Sequence, residues 1–323
     1  MDISNFSETI QRGLSTLNYG EKPAELYEPI RYIMSLGGKR IRPLLTLLAA
    51  HLYTDDVEKV LKPALATEVF HNFTLMHDDI MDQAPLRRGQ PTVHEKWNQN
   101  TAILSGDVML VRAYELFFDV EPDKLAQVLK MFSTCAAEVC EGQQLDISFE
   151  NRDDVSIEEY LHMIRLKTAV LLGFALELGA VLAGATPSDA SHIKQFGIDI
   201  GVAFQLRDDL LDVYADQEKF GKQVGGDILS DKKTFLLLTA IAQANPEQKQ
   251  QLVKWRNDGQ SNSSEKVKAV TEIYNQLQVK QQTEERINHY YKQAMQHLEQ
   301  VQAPEQKKAV IKGLAMQLME RDS

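Results

Sequence analysis

Apolar residues recur three and four positions apart along almost the whole chain, and this spacing restricts the fold more than any other feature. It begins near the N-terminus at residues 26, 30, 33 and 34 and has the period of an amphipathic α-helix. No run combines period-two alternation with β-branched residues, so the sequence predicts an all-α fold without a sheet. The predicted helices are Pro43–Tyr53, Lys62–Asp82, Gln99–Asp119, Lys124–Phe149, Ser156–Ala185, Ser188–Tyr214 and Lys233–Ala244.

The sequence offers no clear boundary between domains. A chain of 323 residues has room for two domains of about 150 residues each. It contains no Pro/Gly/Ser-rich linker and no shift in composition, so we expect a single domain over residues 1–323. The most apolar stretch, Ala169–Ala185, carries Glu177 at its centre and many small residues. These features favour a closely packed core helix over a membrane span.

Charge and cysteine content limit the partners and the compartment. With 35 basic and 46 acidic residues the net charge is −11, which argues against binding to nucleic acid or to anionic membranes. Cys135 and Cys140 lie five positions apart in a predicted helix, so they point to different faces and do not easily form a disulfide. The N-terminus lacks a charged-then-apolar signal. We therefore expect a cytoplasmic protein with reduced thiols.

Two acidic motifs of the same form carry the chemistry, HDDIMD at 77–82 and RDDLLD at 207–212. Each follows an apolar helix and places carboxylates at i and i+4 on one helix face, namely Asp78 with Asp82 and Asp208 with Asp212. Carboxylates near a helix C-terminus repel each other and face the negative end of the dipole. Divalent cations would remove both penalties, and oxygen ligands favour Mg²⁺ or Mn²⁺ over zinc. The alternative is that each acidic motif is simply a solvated helix end. Because the same pattern occurs twice, each time after an apolar helix, this alternative is less favoured.

The basic residues of this acidic chain cluster around the same motifs. Gly37–Pro43 brings three cations to the start of a helix that opens with proline, which is a ready anion site. Mg²⁺ held by one or two carboxylates usually completes its shell with phosphate oxygens. Carboxylates, cations and apolar helix faces together suit a diphosphate with a hydrocarbon tail. The cations are Lys39, Arg40, Arg42, Arg87, Arg88, Lys167, Lys222 and Lys232.

These residues make the chain resemble the trans-prenyltransferases, the head-to-tail isoprenyl diphosphate synthases. The likeness is strongest to the short-chain farnesyl and geranylgeranyl diphosphate synthases. It implies a single all-α domain whose antiparallel helices surround a large central cavity, usually in a homodimer, with three Mg²⁺ ions per active site. The matching segments are Gly37–Pro43, His71–Gly89, Gly106–Asp107, Lys167–Ala169, Phe204–Asp212 and Lys222–Lys232.

The resemblance also implies a role for each site residue. The enzyme would ionise an allylic diphosphate, let the double bond of isopentenyl diphosphate attack the cation, and then lose a proton. Asp78 and Asp82 would hold two ions, and Asp208, supported by Asp212, the third. The allylic diphosphate would be bound by Arg87, Lys167, Lys222 and Lys232, isopentenyl diphosphate by Lys39, Arg42, His71 and Arg88, while Thr168 and Gln205 would face the carbocation.

Product length depends on what stops the growing chain. In the family, the fifth residue before the first motif often sets this floor, and here it is Phe73. Its bulk and the two-residue spacer before Asp82 resemble enzymes that make C15 to C20 products. On helical geometry Phe73 lies about 140° around the helix from Asp78, and Thr74 is nearer the cavity side. Phe73 as an ordinary core residue therefore remains an alternative.

Three other functions fit parts of the sequence. A polyprenyl diphosphate synthase of longer product length would share every motif. A terpene cyclase uses similar metal chemistry but generally lacks the second motif and the anion loop at residues 37–42. A non-catalytic regulatory subunit would have lost some carboxylates or cations, and none is missing here.

Overall fold

The computed structural model describes residues 3–215, 225–257 and 263–320, and these form almost entirely helices. The prediction of an all-α fold is confirmed. The elements in chain order are α1 (Ile3–Thr16), α2 (Ala24–Ser35), α3 (Ile41–His51), α4 (Glu58–Met81), β1 (Leu86–Arg87), β2 (Gln90–Pro91), α5 (Val93–Lys96), α6 (Gln99–Glu115), α7 (Pro122–Glu150), α8 (Ile157–Ile164), a π-helical turn (Arg165–Ala169), α9 (Val170–Leu182), α10 (Pro187–Tyr214), α11 (Gly226–Leu229), α12 (Phe235–Gln243), α13 (Pro246–Asn257), α14 (Ser263–Gln276), α15 (Val279–Gln300) and α16 (Glu305–Met319).

The described residues fall into two compact units. The first unit comprises residues 3–135, 174–194 and 301–311, and the second unit comprises 136–173, 195–300 and 312–320, apart from the gaps given above. Each unit has its own core, and each contains one of the two acidic motifs. The assignment of residues 1–323 to a single domain stays a prediction.

The core of the first unit is built around aromatic rings. Phe132 of α7 lies at its centre, with the rings of Phe70, Tyr114 and Phe117 at centroid distances of 5.1, 4.7 and 4.9 Å. Pairs of this kind add about 0.5–1.5 kcal/mol each beyond simple burial. Phe70 belongs to α4, so this cluster fixes the helix that ends in the first acidic motif.

The second unit packs α8, α10, α12, α14 and α15 around a core of mainly aliphatic side chains. It also contains four buried aromatic residues, Phe149, Tyr160, Phe235 and Tyr274. Helix α8 starts at a capping box in which the Ser156 hydroxyl accepts from the Glu159 N–H and the Glu159 carboxylate accepts from the Ser156 N–H. Such a box satisfies two backbone donors that the helix itself leaves unpaired. The start of α8, which leads into the π-helical turn, is therefore fixed by local sequence.

Two sequence predictions differ from the structure in detail. Residues 86–91 form a two-stranded antiparallel hairpin, although no strand was expected. Its turn places Arg88 and Gly89 at φ 54° and 75°, as type I′ turns require, and two residues per strand are too few to show alternation. The helix predicted over Ser156–Ala185 ends at Leu182 and contains the π-helical turn at Arg165–Ala169.

The apolar stretch near residue 177 lies in helices of the folded core. Residues 170–182 form α9, where most side chains are buried, and the Glu177 carboxylate pairs with the Lys194 ammonium at 2.9 Å. Within the part of the chain described above, a search for helices long and apolar enough to cross a membrane finds none.

Candidate active site

The first acidic motif lies at the C-terminal end of α4, and its aspartates point in different directions. Asp82 caps the helix and is exposed, and Asp78 is half-buried one turn earlier. Asp79 is only 2% exposed. The motif therefore offers two carboxylates on one accessible side and sends the third into the protein.

Asp79 is held by Arg87 of the hairpin. The Nε of Arg87 donates to both carboxylate oxygens at 2.9 and 2.8 Å, and its Nη2 lies 2.7 Å from Oδ1. Burial raises the pKa of Asp79, and the Arg87 guanidinium opposes that rise. The same guanidinium lies 3.7 Å from the Asp78 carboxylate. Arg87 thus joins the buried aspartate to the accessible side of the motif.

A dense cluster of cations lies beside α4, on the side of His71. Burial and the charges of Arg42, Arg88, Arg87 and Arg40 lower the pKa of His71 well below its usual value. The imidazole is therefore neutral at physiological pH. A cluster of positive charges of this kind attracts anions.

The arginines of this cluster have different surroundings. Arg40, at φ 47°, donates to the buried Glu68 carboxylate and to the Met34 carbonyl, each at 2.6 Å. Arg42 has its Nε buried without a hydrogen bond within the described chain, and burial lowers its pKa to about 10. Arg40 is therefore committed to the fold, whereas Arg42 keeps a donor that a ligand could use.

The remaining residues of the first unit lie close to these groups. Arg88 donates to the Gly37 carbonyl, so the turn of the hairpin contacts the glycine loop that carries the exposed Lys39. Phe73 is buried, with its ring 5.6 Å from Phe70 and edge-on to His77 at 4.8 Å. Thr74 is half-buried and donates to the carbonyl oxygen of residue 71 at 2.8 Å.

The second acidic motif lies in the last turns of α10. Asp208 and Asp212 are half-buried, and Asp209 is 3% exposed. The Asp209 carboxylate accepts from the Tyr160 hydroxyl and from Gln205 Nε2, the latter at 3.1 Å. Burial raises the pKa of Asp209 to about 6. As in the first motif, the middle aspartate turns inward and the outer two remain accessible.

The short segment after the motif returns to it. The backbone N–H of Asp227 donates to Asp212 Oδ2 at 2.9 Å, and the N–H of Gly225 donates to the Asp212 carbonyl at 2.6 Å. Burial raises the pKa of Asp227 to about 7, and the charge of Lys232 lowers it. Asp227 lies within the segment Lys222–Lys232 that the resemblance covers, but the sequence analysis assigned it no role.

Lys167 and Thr168 lie in the π-helical turn. The Lys167 ammonium pairs with Asp146 of α7 at 2.7 Å, and the Thr168 hydroxyl donates to Gln205 Oε1 at 3.3 Å. Gly142 of α7 packs on this turn so closely that a Cβ would lie 2.2 Å from the backbone nitrogen of Lys167. Only glycine allows this approach. Asp146 and Gly142 are 21 or more residues from Lys167, and no local sequence signal identifies them.

The structure thus gathers the predicted residues into one set in each unit. The first set contains Lys39, Arg42, His71, Phe73, Thr74, Asp78, Asp82, Arg87 and Arg88, and the second contains Lys167, Thr168, Gln205, Asp208, Asp212 and Lys232. Lys222 lies outside the described residues. Across the described ranges, no group of three or more His, Cys, Asp or Glu side chains is arranged to hold a metal ion alone. Pairs of accessible carboxylates fit Mg²⁺, which keeps water and phosphate oxygens in its shell.

Comparisons with known proteins agree with this chemistry. The chain is 42% identical over 251 residues to a short chain isoprenyl diphosphate synthase of Methanocaldococcus jannaschii, covering 77% of this chain and 76% of that protein. The crystal structure of geranylgeranyl pyrophosphate synthetase from Pyrococcus horikoshii matches with a TM-score of 0.92 and 33% identity, over 99% of this chain and 97% of that one.

A second solved structure is similar along the same length. Geranylgeranyl pyrophosphate synthase from Corynebacterium glutamicum, complexed with isoprenyl diphosphate and magnesium, matches with a TM-score of 0.86 and 31% identity. It covers 99% of this chain and 100% of its own. The family model described as polyprenyl synthetase matches residues 23–277, well over half of the sequence. The chain therefore belongs to the polyprenyl synthetase family of prenyltransferases.

Proposed function

We propose that this prenyl diphosphate synthase condenses isopentenyl diphosphate with an allylic diphosphate and releases a C15 to C20 product, farnesyl or geranylgeranyl diphosphate. The observation that carries the proposal is common to both acidic motifs. In each, the middle aspartate is buried and bonded to the protein, while the outer pair stays accessible near cations. An enzyme that binds diphosphates through Mg²⁺ needs carboxylates in this state.

Asp78 with Asp82, and Asp208 with Asp212, are the proposed ligands of Mg²⁺, three ions per site, or of Mn²⁺ in its place. When bound, the ions would neutralise charge on the departing diphosphate. The chain's own contribution is to hold the carboxylates still. Arg87 does so from one side of the first motif, and the backbone N–H of Asp227 fixes one oxygen of Asp212.

The cluster around His71 is the proposed site for isopentenyl diphosphate. Lys39, Arg42 and Arg88 would supply charge, and the neutral imidazole would donate one hydrogen bond without adding repulsion between cations. The buried, unbonded Nε of Arg42 supports this assignment, since such donors are normally satisfied. The charges that act most strongly on His71 are those of four arginines, so this site would attract a diphosphate without a carboxylate pair and its metal ion.

Arg87, Lys167, Lys222 and Lys232 are proposed to bind the allylic diphosphate and to stabilise the charge it gains as the C–O bond breaks. Thr168 and Gln205 would present oxygens to the allylic cation; their mutual hydrogen bond fixes both side chains. The double bond of isopentenyl diphosphate forms the new C–C bond, and the released diphosphate takes the proton. Apolar helix walls exclude water, which would otherwise trap the cation.

Incubation of the purified chain with labelled isopentenyl diphosphate tests this function. Dimethylallyl, geranyl and farnesyl diphosphates serve as separate primers, with and without EDTA. We expect Mg²⁺-dependent labelled products of 15 to 20 carbons. A cyclic hydrocarbon from the primer alone would indicate a terpene cyclase, longer chains a polyprenyl synthase, and no turnover by a folded protein a regulatory subunit.

We propose that Phe73 limits the length of the product. Its bulk is buried on α4 two turns before the end of the helix, in contact with His77 of the motif. Phe73→Ala should shift the products to longer chains, with Thr74→Ala measured beside it as the second candidate. Unchanged products from Phe73→Ala would show that Phe73 is an ordinary core residue.

We propose a homodimer that uses the outer face of α6 and the residues after it. Leu104, Val111 and Phe118 are 57%, 55% and 61% exposed and follow helical spacing of seven residues, an unusual amount of apolar surface for one stripe. Val111→Asp should produce monomers in light scattering. Val253→Asp changes an equally exposed valine on α13 and should not. Monomeric wild-type protein would contradict the proposal.

We also propose a cytoplasmic location. Cys135 is buried, Cys140 is exposed, and neither forms a disulfide, which suits a reducing compartment. Fractionation of cells that express the full chain tests this directly.

A further inference from the structure

Segment 225–232 connects the second acidic motif to helix α14, which contains neither of the two acidic motifs. At one end, Gly225 and Asp227 bond to Asp212, as described above. At the other end, the Lys232 N–H donates to the Asp227 carbonyl at 3.0 Å. The position of Asp212, and of Lys232, therefore depends on where this short segment is held.

Helix α14 holds it. Lys266 of α14 is 7% exposed, and its ammonium donates to the Asp231 carboxylate at 2.8 Å and to the Leu229 carbonyl at 3.4 Å. Both acceptors belong to segment 225–232. A lysine is rarely buried unless it is paired, so this ammonium is committed to the contact rather than to solvent.

The same helix contacts the start of the segment. Gly225 has φ +86°, and a Cβ there would lie 2.7 Å from the side chain of Val267. Asp231 has φ +55°, a left-handed conformation that costs free energy for a residue other than glycine. The ion pair with Lys266 holds the Asp231 side chain in this conformation. Adjacent residues of α14 therefore fix both ends of the segment.

We infer that Lys266 is a positioning residue for the metal-binding aspartate Asp212, acting through Asp231 and the backbone of segment 225–232. The inference rests on the proposed Mg²⁺ site. The Lys266 ammonium contacts Asp231 and Leu229, and an ammonium has no lone pair for a metal ion, so its effect on Asp212 passes through the segment. Its effect is to keep the Asp227 N–H on one carboxylate oxygen, which leaves the other oxygen of Asp212 oriented. Mutation of groups that orient metal ligands typically lowers metal affinity about 10- to 100-fold.

The test measures metal binding apart from turnover. Mg²⁺ is titrated into the full chain with inorganic diphosphate, and calorimetry gives the half-saturating concentration. Lys266→Met removes the ammonium but keeps the apolar stem. We expect the half-saturating Mg²⁺ concentration to rise about tenfold, together with the KM for the allylic diphosphate, while the KM for isopentenyl diphosphate is unchanged. A general loss of stability would not separate the two substrates in this way.

Three further variants make the result decisive. Asp231→Gly removes the carboxylate and suits the left-handed backbone, so it should fold and show the same rise even where Lys266→Met folds poorly. Lys266→Arg should restore tight binding. Lys268→Met changes an exposed lysine of the same helix and should behave as wild type.

Two results would overturn the inference, and they are distinguishable. If wild-type protein binds Mg²⁺ and diphosphate, but folded Lys266→Met or Asp231→Gly does so equally well, Lys266 has no positioning role. If wild-type protein shows no Mg²⁺-dependent binding of diphosphate, the proposed metal site fails and this inference fails with it.

Discussion

The two acidic motifs have the same pattern but opposite surroundings. Around the first, arginines predominate, and their charges help to lower the pKa of His71. Around the second, carboxylates predominate, and Asp209 and Asp227 have pKa values raised to about 6 and 7, chiefly by burial. The buried middle aspartate is hydrogen-bonded to a cation, Arg87, in the first motif. In the second motif the hydrogen-bond donors to Asp209 within the described residues are the uncharged Tyr160 and Gln205, and the charge of Lys232 acts on it without such a bond.

The two regions should therefore differ in whether they can bind a diphosphate without metal ions. A region rich in arginine attracts a diphosphate by its own charge. A region rich in carboxylates repels a diphosphate until cations bind first. Under the proposed function, we therefore expect the first motif to adjoin an anion site that is already positively charged, and the second to depend more heavily on metal ions.

Loss of the cation from the first motif should have the largest effect. Arg87→Met leaves Asp79 buried without its partner, and breaking a buried pair in this way costs about 3–5 kcal/mol of folding free energy. Urea denaturation measures the change. Arg31→Met, which removes an exposed arginine of the same unit, should change stability by less than about 0.5 kcal/mol. Equal stability of Arg87→Met and wild type would show that Asp79 needs no charge compensation.

The close approach at Lys167 should rank second. Gly142→Ala forces α7 and the π-helical turn apart, and misplacement of a binding group by about 1 Å can reduce kcat/KM about 100-fold. Steady-state kinetics with the allylic diphosphate as the varied substrate measure this. Gly313→Ala, at a helical glycine with open space around it, is the control. Wild-type kinetics for Gly142→Ala would mean that the turn adapts without moving the ammonium.

Removal of an uncharged donor from the second motif should cost less than removal of Arg87. Tyr160→Phe leaves one oxygen of Asp209 without its hydrogen bond, for a loss of about 2 kcal/mol. Urea denaturation measures the loss of stability. The control is Tyr214→Phe, which removes a hydroxyl that donates to Asn275 at the surface. If Tyr160→Phe loses as much stability as Arg87→Met, the two motifs do not differ in how their buried aspartates are stabilised.

The smallest effect should be the pH dependence that His71 contributes. Its pKa is lowered in the folded state, so the unfolded chain binds more protons below the ordinary value near 6.5, and folding stability falls as the pH falls through that range. We expect about 1 kcal/mol of wild-type stability to be lost on this account between pH 7 and 5.5. His71→Asn should lack this component. If stability depends on pH in the same way for both proteins, the pKa of His71 is not lowered by folding.

Sequence reasoning identified the helical class, the two motifs and the cations near them, because these depend on residues within a few positions of one another. It missed the hairpin, whose strands are too short to show a period. It also extended one helix over Ser156–Ala185 without a break. The π-helical turn within this range packs against Gly142 of α7, a contact between residues distant in sequence that no local pattern indicates.

The i and i+4 spacing and the helical period already fix two acidic pairs on helix faces near helix ends. Which aspartate of each motif turns inward, and which groups contact it there, depends on residues that are distant in sequence and meet only in the folded protein. Tyr160 lies 49 residues from Asp209, and Lys266 lies 35 residues from Asp231. The free energy of burying a charge depends on the groups packed against it, and those groups are brought together only by folding.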